Sequence, residues 1–440
     1  MLLMLSKSAL ATVLKDQLKE LEGIGRTVPR TAFPASLEYD GASALVVKGV
    51  RRCGKSTLMM QIIDSRFKDD FLYVNFDDER LSGFKTEDFQ HLMEAAEETF
   101  GKTGNLFFDE IQNISGWELF VNRMLRQGCR VFITGSNANL LSMELGSHMT
   151  GRHIDVELFP FSFREYLLAK GVPLPEGNAY STHERAVIST HFKDYLMNGG
   201  MPEAVISSNM AVLAQLINDI LQRDIVVRHG IRKPAQLKSV VKFMVANAGN
   251  SITYRSVVEN FSLKSPNTVQ KYIEYAQETY LVFKVNRFEE RLRRLEKNPK
   301  KIYCIDNGIV AYHMPDHMEK NGALLENLVA IHLRRQGDDF YYYRGKTNRE
   351  ADFIAPKHKL ALQVCYNLTE KNRLREIQGL HEAMERIGIQ DGLILTLEQE
   401  QDIDYAGRKI RVMPAWEWLL QTEKQSIRSI KRQKQSDADS

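Results

Sequence analysis

Short apolar runs separated by helical stretches fill the first 160 residues of the chain. The runs are continuously apolar rather than alternating, and they lie at 44–49, 71–76, 105–110, 129–136 and 153–158. Continuous hydrophobicity indicates strands that are buried on both faces, as in a parallel sheet covered by helices. Apolar residues recur at helical spacing between the runs. The pattern therefore predicts an α/β domain built from right-handed βαβ units.

The rhythm changes after this region. A polar stretch with proline and glycine at 173–177 predicts a linker, and the pattern from 184 to 285 is mostly helical. Two of the expected helices, at 254–261 and 267–281, are separated by a short turn and followed by a strand at 282–288. Helix, turn, helix and strand in this order predict a winged helix.

The last third of the chain mixes helices and strands. Helices are expected at 322–337 and 373–387, and strands at 338–345, 350–356 and 360–367. This mixture predicts a second α/β domain. The tail that follows is polar and basic, with too few apolar residues to bury a core, so we expect it to be disordered.

Composition limits the class of protein. The chain has 440 residues, too many for one compact core, so two or three domains are expected. A net charge of +3 neither requires nor excludes nucleic acid. Four cysteines without CxxC pairing indicate reduced thiols rather than a zinc site or disulfides. No run of about 18 apolar residues occurs, so we expect no membrane span and a soluble, cytoplasmic protein.

Residues 49–56, GVRRCGKS, fit the phosphate-loop pattern G-x-x-x-x-G-K-[ST] directly after a predicted strand. Gly49 and Gly54 allow backbone N–H groups to face a phosphate, and the following helix adds its positive dipole end. Lys55 can reach the β- and γ-phosphates, and the Ser56 hydroxyl can bind Mg²⁺. The predicted ATP-binding residues are Gly49, Val50, Arg51, Arg52, Cys53, Gly54, Lys55, Ser56 and Thr57.

Two acids end the apolar strand LFFDEI at 106–111. Phosphoryl transfer needs charge neutralisation, in-line placement and a positioned water. We expect Asp109 to hold Mg²⁺ through water, with Ser56 as the other metal ligand, and Glu110 to orient or deprotonate the attacking water. Lys55 and Glu110 are therefore the first two predicted catalytic residues.

Two further catalytic residues are predicted downstream. If the strand in VFITGSNA lies beside the strand in LFFDEI, Asn137 or Ser136 reaches the γ-phosphate, although both residues also suit a helix N-cap. Arg152 can stabilise transition-state charge, in its own chain or in a neighbouring subunit, or it is a solvated loop arginine. Arg51 and Arg52 add positive potential at the phosphates or lie on the surface.

These segments, together with YVNFDDERL at 73–81 and TGRH at 150–153, resemble the AAA-type ATPases of the archaeal-ATPase branch. The rest of the chain resembles the uncharacterised domain that commonly follows this ATPase domain. The motifs that carry this second resemblance are YLMNGGMPEAV (195–205), QRDIV (222–226), YCIDNGI (303–309), ENLVAIHL (326–333) and the EADF segment. The resemblance implies a core ATPase, a winged-helix middle and a restriction-endonuclease-like C-terminal fold.

The expected fold is therefore α/β, with a P-loop parallel sheet, a helical and winged-helix middle and an endonuclease-like α/β domain. The expected parts are an N-terminal helical segment at 1–35, the AAA-type ATPase domain at 36–172, the winged-helix region at 184–300, the endonuclease-like domain at 301–421 and the disordered tail at 422–440.

An active endonuclease of this type needs an acid on one strand and an E-x-K pattern on the next, so that two carboxylates hold a metal and a lysine activates water. Asp352 can be the first acid, and Glu326 can add another. Gln363 and Cys365 stand where the second acid and the lysine belong, and a metal would lose most of its charge complement. We therefore interpret this domain as a non-catalytic fold, in which Asp352 and Glu350 can simply be an exposed strand edge.

A DNA contact is a weaker hypothesis. Thr268, Gln270 and Lys271 begin the second helix of the helix-turn-helix, where base contacts arise in such motifs. The basic stretch 291–301 can contact phosphates or form a solvated hairpin.

The predicted function is a Mg²⁺-dependent ATPase that uses its nucleotide state to reposition the C-terminal domains. The alternatives are a DNA-binding or DNA-processing protein with an ATPase motor, and a nucleotide-dependent switch with negligible turnover. The expected ligand is ATP with Mg²⁺. The other candidate partners are DNA, a second protein and further copies of the chain. We expect no binding to a membrane.

Overall fold

The computed structural model of the protein describes residues 6–23, 25, 27–31, 41, 43–137, 152–175, 177, 179–289, 298–314, 321–337, 339–345 and 348–423. The chain divides into two compact units. The first comprises Met1–Phe159 with Glu278–Tyr280, and the second comprises Pro160–Gln277 with Leu281–Ser440. The tail beyond residue 423 and most of the basic stretch, at 290–297, lie outside the described residues.

The first unit is organised around a parallel sheet of five strands in its described part. The strands are β1 (Ala44–Lys48), β2 (Leu72–Asn75), β3 (Asn105–Asp109), β4 (Arg130–Gly135) and β5 (His153–Glu157). They lie in the order β2-β3-β4-β1-β5, and every pairing is parallel. The predicted parallel α/β fold is therefore confirmed, and β4 lies beside β3 as expected.

The central strands are buried on both faces, as their continuous hydrophobicity predicted. In β3 every residue is buried, and the rings of Phe107 and Phe132 stack across β3 and β4 with centroids 4.3 Å apart. The expectation of burial was wrong for β5, which is partly exposed along its length because it lies at the edge of the sheet and, among the described strands, pairs with β1 alone.

Four helices of this unit belong to the described residues: α1 (Lys7–Glu22), α2 (Lys55–Arg66), α3 (Asp88–Phe100) and α4 (Trp117–Arg126). The Ser6 side chain caps α1, whose apolar face packs on α3 and β2. The helix α4 is strongly amphipathic and buries Trp117, Phe120 and Val121 in the core that α3 and the sheet share. These helices hold the strand ends, where the candidate site lies.

The second unit begins with helices, and its described helices alternate later with strands. They are α5 (Phe163–Ala169), α6 (Thr182–Asn198), α7 (Pro202–Ser207), α8 (Ala211–Asp219), α9 (Pro234–Ala246), α10 (Tyr254–Phe261), α11 (Pro266–Glu278), α12 (Asn307–His313), α13 (Asn321–Arg335) and α14 (Glu370–Ile387). A π-helical turn, Ile220–Val227, continues α8.

Two sheets complete the second unit in its described part. The antiparallel strands β6 (Ser251–Ile252), β7 (Val282–Asn286) and β8 (Lys300–Cys304) lie in the order β6-β8-β7. A mixed sheet contains β9 (Tyr341–Arg344), β10 (Glu350–Ala355), β11 (Leu360–Val364), β12 (Asp391–Thr396), β13 (Gln401–Tyr405) and β14 (Arg408–Pro414), in the order β13-β14-β12-β11-β10-β9. The helix α14 packs on β10, β11 and β12.

The motifs YLMNGGMPEAV, YCIDNGI and ENLVAIHL meet in a buried polar network of the second unit. Asp306 caps α12 and accepts a hydrogen bond of 2.6 Å from the Gly200 backbone N–H. The Asn327 side chain bonds both backbone groups of Cys304 and donates to Asn307 at 2.8 Å. Burial raises the pKa of Asp306 to about 6, although several backbone N–H donors act in the opposite direction. These motifs therefore serve packing, because buried polar groups need partners.

This network leaves no room for a side chain at Gly308, because an added Cβ would overlap the Asn198 carbonyl oxygen. We expect Gly308→Ala to lower the free energy of unfolding by about 1–3 kcal/mol, as overpacked core substitutions do. Gly322→Ala is the matched control, since Gly322 also lies in a helix but nothing lies within 4 Å of its added Cβ. Calorimetry of both full-length variants tests this, and equal melting temperatures would contradict it.

Candidate functional site

Residues 49–54 form a tight loop between β1 and α2, and Lys55 and Ser56 are the first two residues of α2. Gly54 has φ 99°, a left-handed conformation that favours glycine. An added Cβ at Gly49 would overlap the Leu158 carbonyl oxygen, so the loop requires glycine there because of a close backbone approach. Val50 and Cys53 are fully buried beneath the loop, whereas Arg52 is exposed and Thr57 is half-buried. The loop thus has the strand–loop–helix context that the sequence predicted.

The Lys55 side chain folds back over this loop. Its ammonium donates to the carbonyl oxygens of Gly49 at 3.2 Å and Val50 at 3.4 Å, and it lies 3.3 Å from the Glu110 carboxylate. Burial lowers the pKa of Lys55, but the charge of Glu110 and other neighbours outweighs it, so that the pKa is raised overall. The ammonium is therefore charged and held at the mouth of the loop.

Asp109 ends β3 beside the first turn of α2. Its carboxylate accepts hydrogen bonds from Ser56, from Thr134 and, at 2.9 Å, from the Tyr73 hydroxyl. Burial and the charge of Glu110 raise the pKa of Asp109, although the hydrogen bonds from Ser56 and Thr134 lower it. Ser56 and Asp109 are the two predicted metal ligands, and they lie in direct contact.

Glu110 is the first residue beyond β3 and has φ 52°, in the left-handed region. This conformation costs a non-glycine residue about 1–2 kcal/mol and turns the chain sharply. The Glu110 carboxylate then accepts hydrogen bonds from Gln112 and from the Ser136 hydroxyl at 2.9 Å. Burial raises the pKa of Glu110, but Lys55 and these hydrogen bonds outweigh it and lower the pKa to about 2. The carboxylate is therefore ionised at neutral pH.

Thr134 on β4 holds both acids, and the sequence interpretation did not include it. Its hydroxyl accepts from the Glu110 backbone N–H at 3.0 Å and donates to the Asp109 carboxylate. A polar residue inside the apolar run VFITGS, two positions before Ser136, was the signal that could have identified it, since alternate residues of a strand share a face. Tyr73 and Gln112 left no comparable signal.

The remaining predicted catalytic residues differ in position. Asn137 is the second residue beyond β4 and is 1% exposed. Its neighbour Ser136 makes the contacts with Glu110. Its role as a γ-phosphate sensor stays a prediction. Arg51 lies 3.8 Å from the Asp77 carboxylate, and its charge also lowers the pKa of Glu110.

Arg152 lies at the other end of the sheet. Its carbonyl oxygen accepts a hydrogen bond of 2.9 Å from the Ala44 backbone N–H, at the start of β1. Gly49 follows the end of β1, so the two positions are roughly 16 Å apart along the strand. An exposed side chain at this end does not reach the loop of its own chain, so the interpretation of Arg152 as a finger in cis is corrected. A contribution to a neighbouring copy stays a prediction.

A buried ion cluster occupies the second unit. The Lys301 ammonium lies 2.6 Å from Glu350, 2.9 Å from Glu326 and 3.2 Å from Asp352. The side chain of Lys301 is 4% exposed, and the Tyr303 hydroxyl donates to Glu326 at 2.7 Å. Among the described residues, no three or more His, Cys, Asp or Glu side chains are arranged to hold a metal ion. The ammonium fills the space between these carboxylates.

Two sequence expectations about this region are corrected. Lys301 was assigned to a basic stretch that was exposed to solvent or to DNA, but β8 carries it into the interior, and Lys300 is also buried. Asp352 was compared with an exposed strand edge, but it is 6% exposed, and burial together with Glu326 raises its pKa to about 7. Glu350 remains half-buried.

Gln363 and Cys365 do not supply a metal site. The Gln363 amide oxygen accepts from the Asp352 backbone N–H at 3.2 Å, and its amide nitrogen donates to Glu376 at 2.7 Å. The Cys365 thiol donates to the Asn367 carbonyl oxygen at 3.1 Å, and burial raises its pKa to about 11. Both side chains are committed to structural contacts.

In the helix-turn-helix region, α10 and α11 are joined by a four-residue turn, and α11 begins at Pro266. Gln270 and Lys271 are exposed, whereas Thr268 is half-buried and lies 3.3 Å from the Ser265 hydroxyl. Gln270 donates to Glu274 at 2.9 Å.

Family models match three parts of the chain. Residues 42–167 match an AAA domain, residues 189–319 match a domain of unknown function (DUF8612), and residues 321–418 match another domain of unknown function (DUF4143). The AAA match covers the loop and both acids. Together with the geometry, it supports a nucleotide-binding domain of the ATPase type.

An uncharacterized protein of Methanocaldococcus jannaschii is 33% identical to this chain over 394 residues, which cover 85% of this chain and 88% of that protein. The chain belongs to the family of this archaeal protein. A second uncharacterized protein, from Haemophilus influenzae, is 28% identical to this chain, and the match covers 86% of this chain and 94% of that protein. Both matches extend over most of this chain.

One solved structure, the replication initiator DnaA bound to AMPPCP and single-stranded DNA, is 15% identical. The match covers 61% of this chain and 86% of that chain with a TM-score of 0.24, too low to carry an argument. Within the described ranges, none of the helices has the length and apolar character needed to cross a membrane.

The Lys301 cluster predicts a large effect of a single substitution. Lys301→Met leaves Glu326, Glu350 and Asp352 without their shared cation, and removal of one partner from a buried ion cluster costs about 3–5 kcal/mol. The matched control is Lys284→Met, on the neighbouring strand β7, where the side chain is half-buried. Urea unfolding of the full chain at pH 8 measures the free energy of unfolding of both variants.

The sign of the pH dependence follows from Asp352. Its pKa is about 7 in the folded protein and 3.8 ordinarily, so its contribution to stability is complete below pH 3.8 and is lost as the pH rises through 7. Without Lys301 this pKa rises further, so the cost of Lys301→Met grows between pH 5 and pH 8. A cost that is equal at both pH values would contradict this interpretation.

Proposed function

We propose that the protein binds ATP with Mg²⁺ at the loop of residues 49–56 and hydrolyses it. The observation that carries this proposal is that Lys55, Ser56, Asp109 and Glu110 lie together where the strands β1 and β3 end. Lysine, a metal-binding pair of oxygens and a second carboxylate are the parts that phosphoryl transfer to water requires.

The residues present fit Mg²⁺. Ser56 and Asp109 offer hard oxygen donors that are already in contact, and burial raises the pKa of Asp109, so that a neighbouring cation would stabilise its ionised form. Bound there, Mg²⁺ would neutralise charge on the phosphate oxygens. Thr134 and Tyr73 hold the Asp109 carboxylate from its other sides.

Lys55 and Glu110 have linked roles. Paired with Lys55, the Glu110 carboxylate is a weak base because its pKa is about 2. When the Lys55 ammonium turns toward phosphate oxygens, Glu110 loses the charge that contributes most to lowering its pKa. Its basicity then rises while Ser136 and Gln112 still orient it. Glu110 is thereby prepared to take a proton from water only when the loop is engaged.

We also propose that nucleotide state repositions the C-terminal domains. The segment by which the chain leaves the first unit supports this, because it contacts the loop. The Leu158 carbonyl oxygen lies against Gly49. The carbonyl oxygens of Phe159 and Cys53 both accept hydrogen bonds from the Arg30 side chain. The domain limits given above, at 36–172, 184–300 and 301–421, belong to the same proposal.

The C-terminal domain is proposed as an endonuclease-like fold without nuclease activity. The mixed sheet covered by α14 supports the fold. The Lys301 ammonium is ion-paired with Glu326 and Asp352, and its side chain is 4% exposed, so this cation is not available to a substrate phosphate.

Two substitutions in the loop site test the ATPase proposal. Lys55→Ala should abolish ATP binding, because the ammonium is the loop's cation for the phosphates. Glu110→Gln should keep ATP binding but lower the turnover number by about 10²-fold or more, because it removes the carboxylate that positions or deprotonates water. Phosphate release and equilibrium nucleotide binding by the full chain measure the two effects.

The matched control is Glu97→Gln, an exposed carboxylate on α3, which should turn over like the wild type. Unchanged phosphate release in Lys55→Ala and Glu110→Gln would refute hydrolysis at this site. Tight ATP binding by the wild type without any phosphate release would instead favour the switch.

A second candidate function is DNA binding by the second unit. The topology of α9, β6, α10, α11, β7 and β8, with the antiparallel order β6-β8-β7, supports a winged helix. The N-terminal half of α11 exposes Gln270 and Lys271 to solvent. We propose that this end of α11 contacts DNA, with Lys271 on a phosphate.

A salt titration of duplex binding tests this candidate. Each phosphate contact contributes about 0.9 to the slope of log K against log salt concentration, so Lys271→Ala should reduce the slope by about 1. Lys284→Ala, on β7, is the control. No salt-dependent duplex binding by the wild type would argue against DNA as the partner.

A further inference from the structure

Arg30 is a buried arginine in the first unit that the phosphate-loop motif does not include. It is 8% exposed, and its guanidinium donates hydrogen bonds to two main-chain carbonyl oxygens, those of Cys53 at 2.7 Å and Phe159 at 2.5 Å. Cys53 belongs to the loop, and Phe159 is the last residue of the first unit before Pro160. One side chain thus connects the loop with the end of the sheet.

The main chain around Arg30 is fixed by Gln61 on α2. The Gln61 amide nitrogen donates to the Thr27 hydroxyl at 2.9 Å and to the Val28 carbonyl oxygen at 2.8 Å. Its amide oxygen accepts from the Arg30 backbone N–H at 3.3 Å. The helix that begins inside the phosphate loop therefore also holds the segment from which Arg30 reaches back to that loop.

The bond to Cys53 determines the direction of the next N–H group. In a planar trans peptide the C=O of one residue and the N–H of the next point in opposite directions. The Cys53 carbonyl points to Arg30, so the Gly54 N–H points away from the guanidinium. An added Cβ at Gly54 would lie 3.0 Å from the Arg30 Nη1 atom, so glycine also leaves space for the guanidinium.

We propose that Arg30 is a positioning residue for nucleotide binding, which fixes the Cys53–Gly54 peptide so that the Gly54 N–H faces the β-phosphate of the nucleotide. This rests on the proposed function. Arg30 acts through the loop and does not touch the nucleotide. The role requires a guanidinium, because its planar fork bonds two carbonyl oxygens at once, whereas a lysine ammonium is a single point charge on a flexible stem.

The test compares Arg30→Ala, Arg30→Lys and the control Arg126→Ala, which removes an exposed arginine at the end of α4. Equilibrium binding of ADP and AMP and the steady-state kinetics of ATP hydrolysis are measured on the full chain. Loss of one oriented, charge-supported donor predicts that affinity for ADP falls about tenfold to a hundredfold in Arg30→Ala. Affinity for AMP, which lacks the β-phosphate, should stay within about twofold, and the KM for ATP should rise more than the turnover number falls.

Chemical rescue separates positioning from folding. Guanidinium at millimolar concentration should restore ADP affinity to Arg30→Ala but leave Arg30→Lys and Arg126→Ala unchanged. The proposal is overturned if Arg30→Ala binds ADP like the wild type, if ADP and AMP affinities fall equally, or if guanidinium restores nothing. A wild type that binds neither ATP nor ADP would overturn the proposed function itself, so the two failures are distinguishable.

Discussion

Compensation of buried charge at the end of β3 is the constraint on which the candidate site depends. Asp109 and Glu110 are consecutive acids, and carboxylates removed from water need opposite charge or donated hydrogen bonds. Lys55 supplies the charge for Glu110, and Ser56, Thr134 and Tyr73 supply donors for Asp109. Two neighbouring acids thereby acquire opposite pKa shifts, with Asp109 raised and Glu110 lowered.

The second unit meets the same constraint with a different outcome. Lys301 is shared by three carboxylates in a closed cluster, and Asp306 is satisfied by backbone N–H groups. In the loop site, Lys55 instead donates to two carbonyl oxygens besides pairing with Glu110, and in the proposed function a nucleotide phosphate takes the place of these oxygens. Lys301 is thus surrounded by carboxylates, whereas Lys55 shares its charge between one carboxylate and two main-chain oxygens.

Short-range sequence patterns predicted the strands of the first sheet and the residues of the phosphate-loop motif. The short β-rich runs identified all five strands of the first sheet, although the run at 153–158 alternates between polar and apolar residues. The motif residues Lys55, Ser56, Asp109 and Glu110 lie close together in the fold. The strands β12, β13 and β14 were not predicted. In β13 exposed and half-buried residues alternate at a sheet edge, so that strand carries little apolar signal.

Contacts between distant segments were beyond the sequence patterns. Arg30, Tyr73 and Thr134 reach the site from three separate segments, and only the folded sheet brings them together. Lys301 looked like part of a basic surface stretch because charged residues precede it in the sequence, whereas the strand β8 that carries it is buried along its whole length. Arg152 followed a family-like motif, but its position beside Ala44 at the start of β1 depends on sheet register.

The most direct test of the central claim is a calorimetric titration of the full chain with a slowly hydrolysed ATP analogue, with and without Mg²⁺. The proposed site predicts one nucleotide per chain and an affinity that falls by about tenfold or more when Mg²⁺ is chelated, because Ser56 and Asp109 then lose their cation. No binding, or binding with the same affinity whether or not Mg²⁺ is present, would contradict this account of the site.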